Sequence, residues 1–157
     1  MADRPRAVWP FLLAILGLAV PSQPTAGAAL ALSGTSLQGQ VVSVGDGDTI
    51  RVRSGGQTLT VRLACIDAPE TAQSPWGLRA RSYLQQRLPP GTAVTLLVKD
   101  TDRYRRTVAE VISDININLV LVEDGQAFAY RQYLGKCEAS DYLDAELRAS
   151  RHRHGIW

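Results

Sequence analysis

Two hydrophobic rhythms divide the chain. Residues 40–44 and 49–53 place apolar side chains at alternate positions, the period of a half-buried strand, and Asp46-Gly47 between them signals a hairpin. Ser54-Gly55-Gly56 marks a second turn, and residues 58–66 (TLTVRLACI) read as a third strand, completing a meander. Residues 33–38 read as a short lead-in to it. Pro69 ends the third strand, and residues 71–75 form a short loop. Residues 77–87 then switch to helical spacing, with Leu78, Ala80, Tyr83 and Leu84 among arginines and glutamines, until Leu88 and Pro89-Pro90-Gly91 close the segment. Strands follow at 93–98 and 107–112, joined by the polar stretch 99–106. Residues 116–123 predict a short helix with Gly125 as its C-terminal stop. Ser140 is placed to cap a last helix, with Asp141 and Asp144 near its positive end and Arg148, Arg151 and Arg153 near its negative end. Tyr142, Ala145 and Ala149 share one face of it.

Five short strands and three helices in this order predict an α+β fold: a five-stranded Greek-key barrel of the OB type, an architecture that covers its edges and often binds polynucleotides. The length, 157 residues, suits one domain. At 45% hydrophobic and 20% charged residues, the composition excludes a disordered chain or a coiled coil. A net charge of +2 creates no global field, so any phosphate binding must come from charges gathered locally.

Residues 1–31 carry a different pattern. Arg4 and Arg6 precede an almost wholly apolar run, 8–20, and small residues follow, with small-x-small sites at Ala26-Gly27-Ala28 and Ala29-Leu30-Ala31. This is the three-part pattern of a secretory signal peptide, with cleavage expected after Ala28 or Ala31. The alternative, an uncleaved anchor, needs a longer apolar run, about 20 residues. The folded domain is then 32–157, secreted or periplasmic, with no stable membrane association. Cys65 and Cys137 both lie in it, and export permits one disulfide between them; two buried free thiols are the alternative.

Four acidic residues stand at breaks in the pattern. Asp46 and Asp48 lie at the first turn, and Asp67 and Glu70 lie where the third strand stops. Each alone is an ordinary turn residue. Together they would repel one another unless a cation neutralises them, and an all-oxygen set favours calcium or magnesium over zinc. Arg62, in the strand leading to Asp67, either points to solvent or serves a site, because a barrel interior does not accept an unpaired charge. Arg106 closes the basic turn Asp102-Arg103-Tyr104-Arg105-Arg106, and arginine suits bidentate phosphate binding. His152 and His154 are expected on different sides of the last helix and make a poor metal site. Trp76 and Trp157 read as packing residues.

Residues 39–50 (GQVVSVGDGDTI) resemble the first hairpin of the staphylococcal nuclease, or thermonuclease, family. Residues 61–71 (VRLACIDAPET), the Asp102–Arg106 turn, residues 118–127 (NLVLVEDGQA), Tyr142 to Glu146 and the terminal Gly155-Ile156-Trp157 resemble further family segments in the same order. The resemblance implies a calcium-dependent nuclease acting on DNA and RNA, preferring single strands and working as a monomer. It implies that Asp48, Asp67 and the backbone carbonyl of Ala68 bind Ca2+, with Asp46 and Thr49 supporting them. Glu70 would position or deprotonate the attacking water, and Arg62 and Arg106 would hold the phosphate, leaving a 3′-phosphate end. Tyr104 and Tyr133 would contact nucleotides. One departure is Arg105, where the family turn has glycine; a positive φ there would strain a non-glycine residue by about 1 kcal/mol. The other is a shorter loop after Glu70. The alternative function is a non-catalytic OB-type module binding nucleic acid or protein, which has no evident need for clustered acids.

Overall fold

The computed structural model describes residues 34–157. The signal-peptide assignment to residues 1–31 lies outside them. The elements are β1 (Ser36–Val44), β2 (Thr49–Ser54), β3 (Gln57–Leu63), β4 (Ile66–Asp67), α1 (Trp76–Arg87), β5 (Ala93–Thr101), β6 (Thr107–Ser113), β7 (Ile115–Asn116), α2 (Ile117–Glu123), β8 (Phe128–Ala129) and α3 (Ala139–His152), with a 3-10 helix at Arg131–Lys136 before α3.

The strands run in the order β3-β2-β1-β5-β6-β7. A parallel pairing of β3 with β6, Val61 opposite Thr107 and Leu63 opposite Ala109, closes β1, β2, β3, β5 and β6 into the five-stranded barrel. Alternation decides which side chains fill it: Ile50 and Val52 of β2, Val61 and Leu63 of β3, Leu96 of β5 and Val111 of β6 are all essentially inaccessible. Bulges between Val41 and Ser43 and between Val98 and Asp100 supply the bends that closure needs. Helix α1 buries Ala80 and Leu84, and Leu88 just beyond it, while α3 buries Tyr142, Ala145 and Ala149, the face read from its spacing.

Four local expectations change. The lead-in is shorter, because Ser36 to Gln38 already pair with Leu97 to Thr95 of β5. The third strand does not run unbroken to Ile66: Ala64 and Cys65 form a turn, with Cys65 at φ 65°, and β4 restarts in a second ribbon against β8. Lys99 to Thr101 continue β5 instead of joining the polar connection. Ser140 does not cap α3; Glu138 holds the cap position without a side-chain bond, and the Ser140 hydroxyl donates to Glu138 Oε1 at 3.0 Å.

Two buried polar residues fix the frame beneath the breaks. Asn118, fully buried at the start of α2, donates from Nδ2 to the carbonyls of Ala64 and Ala109 and accepts from Val111 N. It pairs the Ala64 carbonyl and the Val111 N–H beside the end of β3, and adds a second donor to the Ala109 carbonyl, which already accepts from Ala64 N. Glu146 of α3 accepts from Ala129 N at 2.9 Å and pairs with Arg131, which ties α3 to β8 and so to β4.

Candidate functional site

The acidic turn is seated by small residues. Gly45 to Asp48 join β1 to β2, and Asp46 Oδ1 accepts from Asp48 N at 3.1 Å. A methyl group on Gly47 would come within 2.8 Å of both Ala68 Cβ and Ala80 Cβ, so only glycine lets the turn lie this close to α1 and the end of β4. The approach buries Asp48, whose Oδ2 accepts from Ala68 N at 2.9 Å and whose Oδ1 accepts from Thr49 Oγ1 at 3.3 Å. Burial pushes the Asp48 carboxyl up to about 7, with Asp46 adding to the rise, although Arg62 and the Ala68 N–H oppose it.

Arg62 projects from the outer face of β3 between two inward residues, Val61 and Leu63. Its guanidinium forms an ion pair with Asp48, and Nη2 donates to Asp67 Oδ1 at 3.1 Å. The Nη1 contact with Asp48 is not an aligned hydrogen bond, so this buried donor keeps a proton free for another acceptor. Asp67 stands on β4 opposite Phe128 and is half exposed.

Glu70 is exposed, and no side-chain partner holds its carboxylate among the described residues. Its backbone is held firmly: Glu70 N donates to Gln73 Oε1 at 2.6 Å, and its carbonyl accepts from Gln73 N at 2.8 Å. Gly77, in the first turn of α1, lies against that carbonyl, where any side chain would overlap it.

These groups line one open cleft of about 770 Å³. Its far wall carries Arg106, whose backbone N and Nε donate to the two oxygens of Asp102 at 2.9 and 2.7 Å. Burial works against the charge on Asp102, but the Arg106 and Tyr104 donors outweigh it and hold the carboxyl below its usual value. Both terminal nitrogens of Arg106 stay available. Tyr104 lies under the Arg103 and Arg106 guanidiniums, 4.8 and 5.5 Å from the ring centre, and is largely exposed. Arg105 has φ 63°, the left-handed conformation that glycine adopts without strain.

The third wall is the 3-10 helix. Tyr133 lines the cleft edge-on to Tyr130, 4.9 Å away, with Lys136 beside them paired to Asp100. Cys65 and Cys137 form a disulfide that staples the turn before β4 to the end of this helix, and Tyr130 N donates to the Cys65 carbonyl at 2.9 Å.

The structure thus brings Asp46, Asp48, Arg62, Asp67, Glu70, Tyr104, Arg106 and Tyr133 to one cleft, with Thr49 bonded to Asp48 behind it. Ala68, buried beside Asp67, meets Asp48 through its N–H. Tyr130 and Lys136 also line the cleft, although the sequence reading passed over them; the only signal was a tyrosine three positions before Tyr133 in a segment without periodicity. His152 and His154 lie outside it, and they do not diverge: their rings stack 5.6 Å apart, because the helix ends at Arg153 in the left-handed conformation and turns the chain back.

Six carboxylates and four basic side chains line this cleft. The excess acid is unsuited to an anionic ligand unless a cation joins it. Among the described residues no three acidic, histidine or cysteine side chains cluster closely enough to hold a metal unaided. The donor chemistry still fits a hard cation: Asp48 and Asp67 supply carboxylate oxygens, and calcium readily completes its shell with backbone carbonyls and water. The buried Asp48 carboxyl, raised despite Arg62, is a place where added positive charge is favoured.

A family model for staphylococcal nuclease homologues matches residues 60–157, from the strand that carries Arg62 to the final tryptophan. The chain is 41% identical over 130 residues to the micrococcal nuclease of Shigella flexneri, covering 76% of this chain and 73% of that protein. It is 39% identical to an uncharacterized endonuclease of Haemophilus influenzae, over 75% of this chain and 65% of that protein, and 38% identical to the protein ParB of Escherichia coli, over 77% and 72%. The closed barrel, the cleft at its edge and these matches agree: the chain belongs to the staphylococcal nuclease family.

Proposed function

We propose that the chain is an exported, calcium-dependent nuclease that hydrolyses phosphodiester bonds of DNA and RNA and leaves 3′-phosphate ends. The observation that carries this reading is Arg62, a phosphate-binding side chain held between the two carboxylates Asp48 and Asp67. A non-catalytic module would gain nothing from acids that repel the phosphates it binds.

Asp48, Asp67 and the Ala68 carbonyl would hold the calcium, supported by Asp46 and Thr49. When bound, calcium supplies Lewis-acid polarisation of the phosphate and part of its charge neutralisation. The protein's own groups do the rest. Glu70, free of side-chain partners, accepts a proton from the attacking water. Arg62 and Arg106 donate to the phosphoryl oxygens as negative charge builds in the transition state, with Asp102 fixing the plane of Arg106. The water oxygen bonds to phosphorus in line, the bond to the 5′ oxygen breaks, and that oxygen takes a proton from solvent as it leaves. Tyr104 and Tyr133 flank the phosphate site on exposed rims, where unpaired bases can stack, which supports a preference for single strands. A secreted or periplasmic location after removal of residues 1–31 is supported by the Cys65–Cys137 bridge, because such bonds persist in oxidising compartments. The working form is a monomer.

The test is degradation of single-stranded DNA by the purified protein with calcium, then with excess chelator. Cleavage that requires calcium, disappears in Glu70→Ser and leaves 3′-phosphate ends establishes the reading. DNA binding without cleavage under any divalent metal overturns it.

A further inference from the structure

Outside the cleft, arginines recur on one sheet face. Arg51 and Arg53 of β2 alternate with the inward Ile50 and Val52, so both point outward, and both are exposed. No ion pair among the described residues engages either. Register then decides their neighbours. Arg51 stands opposite Thr60 and Arg53 opposite Thr58 on β3. Across β3 the parallel pairing sets Val61 opposite Thr107, so Thr60 and Arg106, one residue earlier on each chain, are neighbours as well. Arg51, Thr60 and Arg106 therefore form a row across the sheet, leading directly out of the cleft. Arg53 and Thr58 form the next row, about 7 Å further along the strands. That step is close to the spacing of successive phosphates in an extended strand, and the hydroxyls between the arginines are further donors to phosphate. Gln40 and Ser43 continue the face on β1, opposite Arg53 and Arg51, so on β1, β2 and β3 these rows contain no carboxylate; the one at their end, Asp102, is already bonded to Arg106.

We infer that this outer face of β2 and β3 is a second nucleic-acid contact, in which Arg51 and Arg53 bind the phosphates of a single strand that runs out of the cleft past Arg106. The inference deepens the nuclease reading by making the substrate a strand of several nucleotides. It assigns the two arginines to grip, not to chemistry.

The test measures binding of labelled oligothymidylates of increasing length to the full chain in chelator, as a function of salt. Neutralising two phosphate contacts with Arg51→Gln/Arg53→Gln should flatten the plot of log K against log salt by about 1.4 for long strands, from a slope of about 0.7 per phosphate on single strands. The fold-loss in affinity should grow with strand length. Arg79→Gln/Arg151→Gln, which removes the same charge from two helices, should keep the wild-type slope. An unchanged slope in the first variant, an equal change in the control, or a loss independent of length overturns the track. So does loss of binding to anionic phospholipid vesicles alone, which would make the face a membrane contact. A wild-type chain that binds with the expected slopes but never cleaves would retain the track and remove the nuclease reading.

Discussion

Arg62 Nη2 lies 3.1 Å from Asp67 Oδ1, although a reversal of the chain at Cys65 separates the two residues. The contact spans two ribbons, β3 of the barrel and β4 of the small sheet, and the same guanidinium also pairs with Asp48. The side chain proposed to hold the phosphate thus also neutralises the residues proposed to hold calcium. Metal and phosphate must share those partners, and this sharing separates two effects of a mutation.

Arg62→Ala should lower turnover at least a hundredfold, about 3 kcal/mol of lost transition-state stabilisation. Calcium affinity should stay the same or tighten, because the carboxylates lose a competing cation. Single-turnover cleavage and calorimetric calcium titration check the two halves; a near-wild-type rate contradicts the assigned role.

Gly77→Ala should displace the segment bearing Glu70, since the added methyl overlaps the Glu70 carbonyl. Overpacking of this kind costs about 1–3 kcal/mol of stability. Turnover should fall at least tenfold while calcium affinity falls less. Thermal unfolding and kcat, measured on the same preparation, would refute the idea if both stayed at wild-type values.

Arg105→Gly should stabilise the protein by about 1 kcal/mol, because φ 63° strains any side chain with a Cβ. Calcium-dependent cleavage should persist. Chemical denaturation gives the difference, and a destabilised variant would show that Arg105 makes a compensating contact.

Glu110 sets a pH dependence. Burial alone would raise its carboxyl, but Lys99, Tyr142 and Asn116, all bonded to it, outweigh burial and hold it below the usual 4.5. A carboxyl lowered by folding contributes its full stability above the unfolded value and loses it as pH falls through the folded one. Glu110→Gln should therefore destabilise by about 2 kcal/mol at pH 7. The gap to wild type should close below pH 4.5, as both proteins become neutral at this position. A gap independent of pH would show that shape, not charge, matters at this site.

Cys65→Ser/Cys137→Ser should lose about 4 kcal/mol, since the bridge closes a loop with a separation of 72 residues. KM should rise more than kcat falls, because the wall carrying Tyr130 and Tyr133 depends on the bridge, whereas Asp67 is also held by the β4–β8 pairing and by Arg62. Denaturation and steady-state kinetics separate the two effects; equal loss in both kinetic constants would place the bridge nearer the chemistry.

Much of the architecture was legible locally. Ile50, Val52, Val61 and Leu63 alternate with polar neighbours because one face of each strand meets the core, and that period survives in any short window of sequence. Gly55 and Gly56 announce their turn because both adopt positive φ, 53° and 81°. The acids, the arginines and their order along the chain were likewise visible, and with them the family. Only the tertiary structure decided how these pieces meet. The sequence reading carried the third strand straight through Cys65, yet the reversal there is what swings Asp67 back to Arg62. Asp48 reaches Ala68 because Gly47 and Ala80 are small enough to let two distant segments touch. Tyr130 and Lys136 enter the cleft because the disulfide and the Cys65 carbonyl hold an aperiodic segment against it. The row Arg51, Thr60 and Arg106 exists only because β3 and β6 pair in parallel and close the barrel. Local pattern records which side of an element faces water; closure, and the neighbours it creates, depends on contacts between residues far apart in the chain.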